Sequence, residues 1–242
     1  MPSRRFKARE AKKNAVAILI VVAFAAVVFS VNSIGRFIAQ KLISPLAQAG
    51  TSKTQTVSFN IEETTIYALG LALDKKEDVA SLDGATVELN ENVLFSCYIE
   101  KPEAEQLAQK HSLLVIPLYA DKLSVRLTGN SEQIDSIKNG MNLLRSVLLD
   151  ALEVSASLDR ADVTRTQAKA KAQISLKNLQ DALNNIPSSE NETVKQLKLT
   201  LECYVTAFST LEDTQSDSFL KSFKILSCEL AREYLSFASA ID

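Results

Sequence analysis

The sequence contains no tryptophan, only six glycines and one histidine, and aromatic residues make up 6% of its 242 positions. Such a composition suits helices rather than an all-β sandwich. The three cysteines, Cys97, Cys203 and Cys228, are too few and too scattered for a disulfide framework or a zinc site. One of them is necessarily unpaired within a monomer. The lone His111 has no nearby Cys or carboxylate cluster and reads as a helix-end residue. A phosphate-cradling Gly-rich loop, Gly-x-Ser-x-Gly and His-Glu-x-x-His are all missing. The carboxylate pairs Glu62-Glu63 and Asp159/Asp162 are accounted for by solvated loop charge or helix capping. These absences leave no catalytic residue, no metal site and no cofactor, and the chain is expected not to be an enzyme.

What is present begins with a long charge-free run. Residues 14–35 hold 22 consecutive uncharged residues between Lys13 and Arg36. A helix needs ~20 such residues to cross ~30 Å of hydrocarbon, and a lone span in lipid has to satisfy its own backbone hydrogen bonds. The segment is therefore expected to be a transmembrane helix in contact with the lipid bilayer. Arm 1–13 carries Arg4, Arg5, Lys7, Arg9, Lys12 and Lys13 against Glu10 alone. Short basic loops stay cytoplasmic, which places the N-terminus inside the plasma membrane and the later domains outside. Without the arm's six basic and one acidic residues, 21 basic and 28 acidic residues remain, a net charge of −7. A negative outer part argues against nucleic acid as a partner. Ala47-Gln48-Ala49 has the small-x-small pattern of a cleavage site, but it lies far beyond an apolar run too long for a signal peptide. An uncleaved signal anchor is favoured over a secreted product.

Segment 36–56 reads as a short interfacial continuation ended near Pro45, followed by a small, polar tether. Residues 57–128 then change character. Thr65–Leu71 is β-prone, Lys75–Leu82 is a short helix closed by Asp83-Gly84, and Ala85–Leu89 and Val93–Ile99 flank hairpin residues Asn90-Glu91-Asn92. Pro102 opens a helix to about Lys110. Leu113–Tyr119 is a strand pushed toward a sheet edge by Pro117, and Leu123–Leu127 adds a last one. The order is strand, helix, strand, strand, helix, strand. It implies an α+β sandwich with one sheet covered by two helices on one face.

From Asn130 the apolar period lengthens to about 3.5. Residues 129–242 show four amphipathic stripes: Ile134 to Leu158, Ala168 to Ile186, Val194 to Leu211, and Leu220 to Ile241. Asn130 or Ser131 caps the first, Thr164 or Asp162 the second, and Ser189-Glu190-Asn191-Glu192 has capping-box spacing before the third. Short turns between them imply an antiparallel helical bundle. Cys203 and Cys228 lie two residues from stripe leucines Leu201 and Leu226, roughly 200° around each helix, so both are expected to face away from the seam. Cys97 is expected to pack.

The βαββαβ order behind an N-terminal anchor, with Tyr67-Ala68-Leu69-Gly70-Leu71-Ala72, Val93 to Tyr98 and the helix Glu103-Ala104-Glu105-Gln106-Leu107-Ala108, resembles the sporulation-related repeat (SPOR) domain, a ferredoxin-like peptidoglycan-binding module. Gly70 matches the first-strand glycine, with Ala68 and Ala72 beside it. Val93 and Tyr98 match the third strand, where Asn92 and Ser96 replace Arg and Gly. The resemblance implies a cell-envelope role in division or sporulation, with peptidoglycan as ligand and envelope or division proteins as further partners. Tyr67, Ala68, Gly70, Asn92, Ser96 and Tyr98 are the implied glycan-binding positions. Tyr98 could equally be core on the opposite side of the pleat. The alternative is a protein-interaction scaffold that uses the bundle and binds no glycan.

Overall fold

The computed structural model describes residues 54–82, 84–212 and 218–241. Arm 1–13, span 14–35, all but the end of segment 36–56, and Asp83 lie outside these residues. Among the described residues the fold is α+β, with six α-helices and two antiparallel sheets. No helix among them is long and apolar enough to cross a membrane.

The first element among the described residues is a strand that the sequence pattern did not reveal. Strand β1 (Gln55–Ile61) buries Phe59 and Ile61 and exposes Ser58 and Asn60, the period-two alternation of a half-covered strand. It pairs with β6 (Leu123–Gly129), while the next strand, β2 (Thr64–Ala72), pairs with β5 (Leu114–Ala120). Ile61 lies opposite Leu123 and Thr64 opposite Ala120, so the two pairings are one long ribbon. The exposed charged residues Glu62-Glu63 and Asp121-Lys122 interrupt it. Arg145 holds this interruption from the first long helix, donating to Thr64 Oγ1 at 2.9 Å and to the Glu63 carbonyl at 3.3 Å.

Strands β3 (Val87–Leu89) and β4 (Asn92–Tyr98) complete a four-stranded sheet of order β3-β4-β2-β5. Asn90-Glu91 make the tight turn between them, with Asn90 in the left-handed region at φ 53°. Pro117 falls on edge strand β5, where no further strand needs its missing N–H. Short helices α1 (Lys76–Ser81) and α2 (Lys101–His111) fill the connections. The sheet, expected to be covered on one face, has cover on both. Leu69, Val93, Phe95 and Tyr98 pack with Val79 of α1 and with Ala104 and Ala108 of α2. Ile66, Ala68, Leu94, Cys97 and Leu118 belong instead to the core shared with the long helices. All residues from Val93 to Tyr98 are buried, as in a strand sandwiched between two layers. A bulge at Phe95 shifts the register there: Leu69 faces Ser96 and Gly70 faces Leu94.

The long helices are α3 (Ser131–Asp159), α4 (Arg165–Asn185), α5 (Glu192–Glu212) and α6 (Phe219–Ile241). Asn130 caps α3 and Thr164 caps α4, each in a capping box with a Gln three residues on. Asn191, rather than Ser189, caps α5: its Oδ1 accepts from Val194 N at 3.3 Å, and Ser189 Oγ supports Asn191 N at 3.1 Å. The four helices pack as a bundle in which α6 returns against α3. Phe219, and not the exposed Leu220, starts the buried stripe of α6. Buried Tyr204 on α5 donates to the Leu230 carbonyl on α6 at 2.9 Å, so its hydroxyl is not left unpaired in the core. The described residues form one compact unit, within which the secondary structure changes near residue 129.

Candidate functional site

The six positions that the resemblance implied for glycan do not share a surface. Ala68, Gly70, Ser96 and Tyr98 are buried, and Tyr67 and Asn92 are half-buried. Tyr67 and Tyr98 belong to the side covered by α1 and α2, whereas Ala68 belongs to the side covered by the bundle. Gly70 has a packing explanation: a Cβ there would stand 2.4 Å from the Val93 carbonyl oxygen of the neighbouring strand. Close backbone approach alone requires glycine at that position.

The structure instead gathers a polar cluster in the interior, where β4 meets the end of α3 and the first half of α6. Asp159, the last residue of α3, accepts from the Tyr98 hydroxyl at 2.8 Å through Oδ2. Its Oδ1 lies 3.1 Å from Lys224 Nζ on α6. Lys224 is only 6% exposed, and its ammonium sits 4.3 Å from the centroid of the Phe95 ring. A carboxylate at a helix C-terminus faces the negative end of the helix dipole, so Asp159 needs this cation. Burial, and then the Asp159 carboxylate, hold the Tyr98 phenol well above its ordinary pKa. His111, at the end of α2, meets the same Phe95 ring at 5.3 Å between centroids. Its pKa is pushed down by burial, then by Lys110 and Lys224. Toward solvent, Arg160 reaches Glu103 of α2 and also pairs with Glu153 at 3.2 Å and Asp162 at 2.7 Å.

One turn further along α6 from Lys224, Cys228 Sγ lies 3.5 Å from Cys97 Sγ on β4. Both thiols are fully buried, while Cys203 is exposed. Cys228 therefore does not face away from the packing, as its distance from the leucine stripe implied. The reason is that α6 has two buried sides. Besides the bundle stripe, positions 224, 227, 228 and 231 are all buried at helical spacing, and Lys224 and Cys228 on that second stripe reach β4.

No family model, curated protein or solved structure matches this chain. Its chemistry has to be read from the cluster itself. Both oxygens of Asp159 are engaged, the Tyr98 proton is tightly held, and the Lys224 ammonium is paired. Those groups offer no free base or nucleophile to a substrate. A cleft of 170 Å³ between α5 and α6, lined by Ala207, Leu211, Ser222 and Glu229 among others, is small beside the ~300–1,000 Å³ of a typical ligand pocket. Among the described residues no group of three or more His, Cys, Asp or Glu is placed to hold a metal. In the sequence, Asp159 is accounted for with Asp162 by solvated loop charge or helix capping, and Lys224 has no assigned role. The signal that could have found them is the small-residue stripe on α6 interrupted by one lysine.

Proposed function

We propose that this chain is a non-enzymatic, membrane-anchored scaffold. Residues 14–35 would fix a compact extracytoplasmic unit to the membrane, and that unit would act through protein contacts rather than by holding glycan. One observation carries this reading: the central strand β4 is buried on both faces, by α1 and α2 on one side and by the bundle on the other, while Tyr119 on edge strand β5 stays exposed. Sugar binding on a sheet needs exposed amide or guanidinium groups and an open aromatic platform. Here Ser96 and Tyr98 are fully buried. Anchoring adds what a scaffold needs, because confinement to the membrane plane raises the effective concentration of the unit for envelope partners.

A second role, peptidoglycan binding in division or sporulation, is favoured by a different observation. The sheet order β3-β4-β2-β5 with helices in the β2–β3 and β4–β5 connections is that of a split βαββαβ unit, the fold class of the module the sequence resembles. The full chain, solubilised in detergent, separates the two in a co-sedimentation assay with purified peptidoglycan. The scaffold reading expects the protein to stay in the supernatant and to show concentration-dependent mass or cross-links to envelope proteins in cells. Saturable sedimentation with the wall would overturn it.

A further inference from the structure

We propose that Cys97 and Cys228 are a disulfide pair that bolts the central strand β4 to the last helix, α6. This rests on the placement of the unit outside the membrane, where thiols are not kept reduced. The geometry stands independently of that placement. The two sulfurs are 3.5 Å apart, and a bond requires ~2.05 Å, so about 1.5 Å of approach closes it. The pair joins positions 131 residues apart in sequence. Neither sulfur has another thiol to compete, since Cys203 is exposed and on α5.

Both thiols are buried, and burial followed by the neighbouring Cys97 pushes the Cys228 thiol up, so the reduced pair is inert once the core has closed. The bond therefore forms while α6 is still docking. The oxidant is a disulfide of the exchange class, either a dithiol–disulfide oxidoreductase or a small disulfide such as oxidised glutathione. One cysteine thiolate attacks a donor sulfur and the donor's second sulfur leaves as a thiolate. The other cysteine then attacks the mixed disulfide and releases the first donor sulfur. Two protein thiols are oxidised, one donor disulfide is reduced to two thiols, and the two protons pass to the departing donor thiolates.

The test uses the full-length chain carrying Cys203→Ser. The purified protein is denatured, reduced and refolded in detergent with oxidised glutathione, then denatured and labelled with a maleimide that adds visible mass per thiol. The expected result is no added label before reductant, two labels after it, and a cross-linked peptide joining Cys97 to Cys228. Reducing the refolded protein should lower its melting temperature by about 10 °C. Cys97→Ala and Cys228→Ala variants should each take one label without reductant. Return of the native circular dichroism with both thiols free, or capped separately by glutathione, would overturn the pair. The same labelling on acid-quenched cells tests the placement separately. Thiols joined on refolding but free in the cell would support the pair and count against an extracytoplasmic location.

Discussion

Replacing Asp159 with Asn keeps the size of the side chain and an acceptor for the Tyr98 hydroxyl, but removes the charge 3.1 Å from Lys224. Lys224 cannot turn to water, because its side chain is 8% exposed and its ammonium is seated on the Phe95 ring. Breaking a buried pair by neutralising one partner typically costs about 3–5 kcal/mol. The ring retains ~2 kcal/mol of attraction for a desolvated cation, which brings the expected loss to about 1–3 kcal/mol. For a unit of this length that corresponds to a fall in melting temperature of about 2–12 °C. Thermal and urea unfolding of the full chain in detergent, followed by circular dichroism, measures it. Lys224→Met should be similarly costly alone, whereas the double variant Asp159→Asn/Lys224→Met should recover to within about 1 kcal/mol of the wild type. Single variants within about 0.5 kcal/mol of wild type, with no coupling between them, would mean that the pair behaves like an exposed one, and the buried-cluster account would fail.

Other substitutions probe other parts of the same account. His111 has a folded pKa below its ordinary 6.5, so the unfolded chain binds the proton first as the medium acidifies. Its contribution is complete above 6.5 and is lost below it. His111→Gln should flatten the decline in urea midpoint as the pH falls below 6.5. Gly70→Ala drives a methyl against the Val93 carbonyl and should cost about 2–3 kcal/mol or more, read as a lower urea midpoint. A loss of wall binding without a loss of stability would instead mark Gly70 as a ligand position. Ala161 holds the left-handed position after α3 at φ 60°, with Asp162 N bonded to the Ser157 carbonyl at 2.9 Å. Ala161→Gly should therefore raise stability by up to about 1 kcal/mol in the same unfolding assay. Arg160→Ala removes three ion pairs and a hydrogen bond to Ser157 Oγ from a side chain that is 41% exposed, and should lower the stability read from urea unfolding by no more than about 1 kcal/mol.

Much of the fold could be read from short-range pattern. The hydrophobic spacing from Ile134 onward located α3 to α6, and Asn130 and Thr164 cap the first two of them by the Ser/Thr/Asn rule. Pro117 marked an edge because the restriction is local to one residue. Strand β1 went unread although Thr56 to Ile61 alternates perfectly, because the small, polar composition just before it suggested a tether extending to residue 56. The sheet's second cover was missed for a different reason. Alternation along β4 is broken by the bulge at Phe95, and an unbroken apolar run does not say what lies on each side. The Cys97–Cys228 contact and the Asp159–Lys224 pair join residues 131 and 65 positions apart. The docking of α6 onto the sheet brings the first pair together and its packing on α3 the second, and no local pattern encodes either.

The ribbon formed by β1 and β2 with β6 and β5 also decides how the unit would respond to force. A pull arriving from the N-terminal side enters at Gln55, whose partner Gly129 is the last register pair of β1 with β6. Load applied there reaches the rungs one after another, from that end toward Ile61 and Leu123, instead of shearing them together. Strand β1, paired with β6 outside the four-stranded sheet, is thus the first element that such a pull would unpair.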